Sequence, residues 1–211
     1  MIELDNIDTW GENIKKLLSE LNKKEEEFDE KWKKKTVPEK VSKDGVNTIE
    51  KYMQEKKQIE GQIEENLNKR KIVCYHCTRL TRDDYKSIKK NGLIVLTKKS
   101  QIDRIKKIGL NKEEEDQIIK TLKMKDLFNR EGQIHFVYSL KSIDFGCVPF
   151  FKHWGGESIY GNINEFETAK KKISSISKPY VIKFAVKYSD ICNDFFMENM
   201  KKKLKYEKIN R

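Results

Sequence analysis

The sequence predicts an α+β fold. An antiparallel helical hairpin occupies residues 1–70, and a mixed α+β domain with a basic C-terminal tail occupies 71–211. Three observations predict this. Apolar residues recur at steps of three and four through the first 70 positions, the period of an amphipathic helix. At Lys71 the texture changes to short apolar runs separated by helical segments. The strands and helices beyond that point do not alternate as regular βαβ units, which argues against a doubly wound sheet. Neither a glycine-rich dinucleotide fingerprint nor a phosphate loop is present.

Taken in order, residues 5–35 read as one helix whose stripe is Ile7, Trp10, Ile14, Leu17, Leu21, Phe28 and Trp32, with a polar gap at Lys24. Pro38 and Asp44-Gly45 break it. A second helix carries Val46, Ile49, Met53, Ile59, Ile63 and Leu67. Both stripes are narrow, so the pair needs the following domain or a second copy to bury them. The arm is expected to serve packing, self-association or capture of a protein partner. Ile72-Val73-Cys74-Tyr75 is strand-like. Thr81 with Asp84 three positions on makes a capping box for a helix over 82–90, which Gly92 ends. Residues 101–130 read as mostly helical with Gly109 between two segments, and Gln133–Leu140 alternates as a strand. Pro179–Val186 is the clearest strand, and the lysine-rich end reads as a frayed helix.

Charge is unevenly distributed. Residues 1–70 hold 15 Lys+Arg against 17 Asp+Glu, leaving 30 against 17 for the rest of a chain whose net charge is +11. A basic surface favours an anionic partner: nucleic acid, a dinucleotide or an acidic protein. No stretch approaches the ~20 apolar residues that span a bilayer, and the acidic N-terminus lacks the apolar core of a signal peptide. The expected setting is cytoplasmic, with no membrane partner. Cys74, Cys77, Cys147 and Cys192 are too few for a disulfide framework. Cys74 and Cys77 lie three apart on a strand and face opposite ways, so no metal site is expected.

Four groups of residues could carry chemistry. His76 and Thr78 share one strand face, where they could hold a ribose or an amide, and Arg79 at the strand's end could grip a phosphate. Gly155-Gly156 lets a backbone approach a ligand beside Glu157, which Trp154 and Tyr160 bracket with aromatic surface. Tyr138-Ser139 ends a strand, and Tyr138 could stack on a planar ring. Glu165 and Glu167 form a fourth, paired-carboxylate candidate.

The order of these motifs resembles the ADP-ribosyltransferase superfamily. The matching elements are Tyr75-His76-Cys77-Thr78 on a strand, a helix closed by Asn91-Gly92-Leu93, a strand ending in Tyr138-Ser139, and then Glu157. The likeness is to the diphtheria-toxin-like and poly(ADP-ribose)-polymerase-like branch with its His-Tyr-Glu triad, and it covers residues 71 to about 190. It implies that NAD is the substrate. His76 would bind the nicotinamide ribose, with Thr78 matching the hydroxyl residue two positions on. Tyr138 would stack on nicotinamide, and Glu157 would stabilise the oxocarbenium-like ribose. Cys77, Arg79, Ser139, Trp154 and Tyr160 would complete the NAD contacts, although the family has glycine where this chain has Cys77. The other branch, built on Arg, Ser and a Glu-x-Glu pair, would use Arg79, Ser139 and Glu165 with Glu167. The resemblance implies mono-ADP-ribosyl transfer by a toxin-like or defence enzyme to a protein or nucleic-acid acceptor. Two alternatives stand beside it. One is a non-catalytic nucleic-acid-binding module using the basic C-terminal region. The other is an RNA 2′-phosphotransferase-like enzyme drawing on Arg79, Arg82, Arg104 and Arg130.

Overall fold

β-Branched and aromatic residues make Lys71–Leu80 an extended strand, β1, and Lys178–Lys187 forms its antiparallel partner, β2. A computed structural model of the chain describes residues 1–95, 97–124, 132–143, 166–191 and 195–209. These residues are α+β and mostly helical, with this one small sheet. In chain order the helices are α1 (Glu12–Lys33), α2 (Val37–Val41), α3 (Lys43–Asn68), α4 (Arg82–Asn91), α5 (Lys98–Ile108), α6 (Lys112–Met124), α7 (Glu167–Ile176) and α8 (Phe195–Ile209). The chain divides into two compact units, Met1–Cys74 with Phe184–Arg211, and Tyr75–Lys183. The units part inside both strands.

In the first unit, Ile2 pairs in parallel with Ile72, its N–H donating to the Lys71 carbonyl at 2.8 Å. The helix expected from residue 5 begins only at Glu12. Asn6 caps a separate 3₁₀ turn over Ile7–Thr9, and Gly11 at φ +79° breaks the path between the two. Trp10 is fully buried and donates its indole N–H to the Glu3 carbonyl at 3.0 Å.

Helices α1 and α3 lie side by side. Asn13 meets Asn66, Lys24 meets Glu55, and Phe28 stacks on Tyr52 with ring centroids 4.0 Å apart. Ile14, Leu17, Leu18 and Leu21 of α1 are buried, as are Ile59, Ile63 and Leu67 of α3. Val46 and Met53, expected in that stripe, are exposed. The rest of the cover comes from α8, whose Phe196, Met200 and Leu204 recur every fourth residue and are buried. The lysine-rich tail therefore forms an ordered helix with a buried face.

In the second unit, α5, α6 and α7 bury Ile105, Ile108, Ile118, Ala169 and Ile173 as one cluster. Gly109, in the left-handed conformation, ends α5 and lets the chain turn into α6. The predicted capping box forms, with Thr81 Oγ1 accepting from the Asp84 N–H at 3.1 Å and Asp84 Oδ2 accepting from the Thr81 N–H at 3.1 Å. Residues 133–140 do not form the expected strand. Among the described residues, Val137 forms an isolated antiparallel bridge with Tyr75.

Candidate functional site

β1 delivers the candidate residues of the second unit. Tyr75 exchanges both backbone hydrogen bonds with Val137, at 2.8 and 2.9 Å. His76 and Tyr138 each lie one residue beyond that pair, on opposite sides of it because the bridge is antiparallel. Strand alternation puts His76 and Thr78 on one face of β1 and Cys77 and Arg79 on the other.

His76 is half-buried, and its Nδ1 lies 2.7 Å from the His135 carbonyl oxygen. A carbonyl can only accept, so Nδ1 carries the proton and Nε2 of the neutral ring is an acceptor. Burial pushes the His76 pKa below its ordinary 6.5. The His135 carbonyl opposes that shift, while the positive charge of Arg104 adds to it. The ring is thus neutral at pH 7. The Thr78 hydroxyl is 3% exposed and reaches only the Arg79 carbonyl, at 3.4 Å, which is long for an O–H···O bond.

Tyr138 is 8% exposed and meets Phe136 edge-on with centroids 5.5 Å apart. Ser139 is also buried, and its Oγ accepts from the Lys141 N–H at 3.1 Å. Arg79 sits elsewhere. Its Nε donates to Ser177 Oγ at 3.1 Å, and its Nη2 donates to the carbonyls of Ser177 at 2.7 Å and Ser174 at 3.3 Å. The guanidinium thereby satisfies the orphan carbonyls at the end of α7. Glu167 opens α7 on the surface, where its 74% exposed side chain pairs with Lys170 at 2.7 Å. Glu157, Trp154, Tyr160 and Glu165 lie outside the described residues.

Arg104, one of the four arginines on which the phosphotransferase alternative would draw, lies on α5. Gln101, Arg104, Ile105 and Ile108 fall at helical spacing on one side of that helix, and the other three are buried. Burial lowers the Arg104 pKa, and the Asp84 carboxylate works against that shift. Arg104 makes no hydrogen bond and no ion pair with the described residues.

The two described cysteines, Cys74 and Cys77, are buried free thiols. Burial pushes Cys74 up to about 12, so it stays protonated and is a poor metal ligand or nucleophile. Among the described residues, no group of three His, Cys, Asp or Glu side chains sits close enough to hold a metal ion. No described helix is long and apolar enough to cross a membrane.

The basic excess is concentrated in the second unit, which holds 22 Lys+Arg against 13 Asp+Glu. In the first unit, by contrast, the tail lysines Lys201 and Lys205 pair with Glu25 at 2.8 Å and Glu26 at 2.7 Å. No protein-family model, curated protein or solved structure matches the chain.

Proposed function

We propose that the second unit is an NAD-consuming ADP-ribosyltransferase. In this reading Glu157 stabilises positive charge on the ribose as nicotinamide leaves, Tyr138 stacks on the nicotinamide ring, and His76 Nε2 accepts from a ribose hydroxyl. Thr78, the Cys77 backbone, Ser139, Trp154 and Tyr160 complete the NAD contacts in this reading. The observation that carries it is the fixed tautomer of His76. A ring anchored through Nδ1 and kept neutral by its surroundings presents an acceptor, which suits a sugar hydroxyl and not a phosphate. Cleavage of the nicotinamide–ribose bond develops cationic sugar, and a carboxylate placed for that charge lowers the barrier most. Arg79 and Glu167 are each engaged with α7, which favours the His-Tyr-Glu set over the Arg-Ser-Glu one. The first unit, read as an antiparallel helical hairpin braced by α8, is the arm that meets a protein acceptor or a second copy. Ion pairing of Lys201 and Lys205 with α1 leaves the C-terminal tail less charge for nucleic acid, so the binding-module reading ranks second.

The test is release of nicotinamide from NAD by the full chain. Glu157→Ala and His76→Ala should each lower the rate by about a hundredfold or more, the scale of losing one preorganised electrostatic contact. Wild-type protein that releases no nicotinamide with protein or nucleic-acid acceptors present would end this reading. Loss on Glu165→Ala, with Glu157→Ala unaffected, would move the carboxylate.

A further inference from the structure

We infer that the turn joining α1 to α3 docks on the surface of an anionic lipid bilayer. Val37 and Val41 enter the headgroup region there, and the lysines around them meet the lipid charges. The contact is peripheral and uses no spanning segment. It is independent of the reaction proposed above.

Charge is the first observation. Residues 31–43 hold six lysines against one acid, Glu39, whereas the rest of residues 1–70 hold nine basic side chains against sixteen acidic ones. Along the body of the hairpin, Lys15, Lys24, Lys56 and Lys69 pair with Glu12, Glu55, Glu25 and Glu65. At the turn the pattern reverses. Among the described residues, no carboxylate lies within ion-pair distance of Lys31, Lys33, Lys34, Lys35, Lys40 or Lys43. Lys35 and Lys40 lie over the Trp32 ring, 5.7 and 5.8 Å from its centroid, and the other four are exposed. Glu39 is committed to Thr36, its Oε2 accepting from the N–H and the hydroxyl at 2.7 Å each. Helix stability accounts for only part of this excess. Lys31 and Lys33 suit the C-terminus of α1, but Lys43 opens α3, the end at which a cation is disfavoured.

Apolar exposure is the second observation. Val37 and Val41 are each 74% exposed, and they lie four apart on α2, so they share a face. Pro38 beside them is also exposed. Single apolar residues on a surface are ordinary, but these are held outward by a built turn. Ser42 Oγ donates to the Glu39 carbonyl at 2.7 Å and accepts from the Gly45 N–H at 3.1 Å. The Glu39 and Lys40 carbonyls come so close to Gly45 that no Cβ fits between α2 and α3.

The two observations together select the occupant. A nucleic acid would take the lysines and leave the valines in water. A stable protein contact needs roughly 800 Å² a side, far more apolar surface than one turn of α2 presents. A bilayer surface requires no matched shape. It accepts shallow apolar side chains at the headgroup boundary, and it attracts each nearby lysine.

Co-sedimentation of the full chain with vesicles tests this. One set is phosphatidylcholine alone, and the other includes about 30 mol% phosphatidylserine. Wild type should bind the mixed vesicles, release them as salt rises, and ignore the neutral ones. Lys33→Gln with Lys34→Gln should weaken binding by about tenfold or more, at roughly fivefold per charge. Val37→Ser with Val41→Ser should weaken it by about fivefold or more. Lys16→Gln with Lys57→Gln removes the same charge from exposed positions on the body of the hairpin and should change it by less than about twofold. Circular dichroism confirms that each variant is folded. The inference is overturned if wild type ignores the mixed vesicles, or if the body lysines matter as much as those of the turn. It is also overturned if the serine pair binds the vesicles as wild type does. Poly-glutamate bound as tightly as the mixed vesicles would overturn it in favour of an acidic protein partner.

Discussion

The two units treat buried charge in opposite ways. In the first, Lys201 is 7% exposed and is met by Glu25 and Glu198, each at 2.8 Å, while Lys56 reaches Glu25 at 3.1 Å. Burial pushes the Glu25 carboxyl up, but hydrogen bonds from Lys201 and Lys56 outweigh that and hold it below its ordinary value. Burial likewise pushes Lys201 down, and its two carboxylate partners more than compensate. The network ties α1, α3 and α8 together. In the second unit, Arg104 is half-buried and has no such partner among the described residues, and burial lowers its pKa. A charge that is matched within the fold helps to hold the fold together.

Four substitutions or conditions sharpen or break that contrast. The largest effect is expected from Glu25→Ala, which strips Lys201 of one of its two carboxylates and should cost about 2–3 kcal/mol in urea denaturation. Replacing both members, Glu25→Leu with Lys201→Met, should recover most of it; a double mutant as unstable as the single one would show that packing, not pairing, is at work.

Next is Gly45→Ala at the start of α3. A Cβ there collides with the backbone carbonyls of Glu39 and Lys40 in α2, so the change should destabilise by about 1–3 kcal/mol. Gly61→Ala in the same helix meets nothing within 4 Å and should stabilise by up to about 1 kcal/mol. Equal responses at the two glycines would deny the close approach of α2 and α3.

Arg104→Gln comes third. With no partner among the described residues lost, stability should stay within about 0.5 kcal/mol or rise. A loss the size of the Glu25 effect would mean that Arg104 is a structural charge after all.

Smallest is a difference in acid response. His76 has a folded pKa below its ordinary 6.5, so the unfolded state binds the extra proton, and its contribution is lost as pH falls below 6.5. The Glu25 carboxyl, held below its ordinary 4.5, contributes fully above that value and is lost only as pH falls through it. Hydrogen exchange corrected for intrinsic rates should therefore show β1 near His76 loosening between pH 6.5 and 4.5, before α1. Simultaneous loosening would remove the distinction.

What the sequence made legible was local. The Thr81–Asp84 cap, the turn at Gly109 and the two apolar strands each depend on residues a few positions apart, and each is found. What it hid was distant. The partner of Lys201 is 176 residues away in Glu25, and the carbonyl that orients His76 is 59 residues away in His135. Residues 133–140 alternate well, yet alternation alone does not make a strand, and among the described residues the run contributes a single bridge, at Val137. Motif order singled out His76 and Tyr138, and a count of arginines singled out Arg104; α5 reads as amphipathic whether the charge it carries is paired or not.

The division inside β1 and β2 makes the first unit discontinuous in sequence, with Tyr75–Lys183 placed between its two parts. A ribosome adding about 5–20 residues per second completes the second unit first. The first waits for α8, which packs against α1. During that interval the face of α1 that α8 covers is bare. A nascent chain stalled before Phe195 should recruit chaperones that the released protein does not.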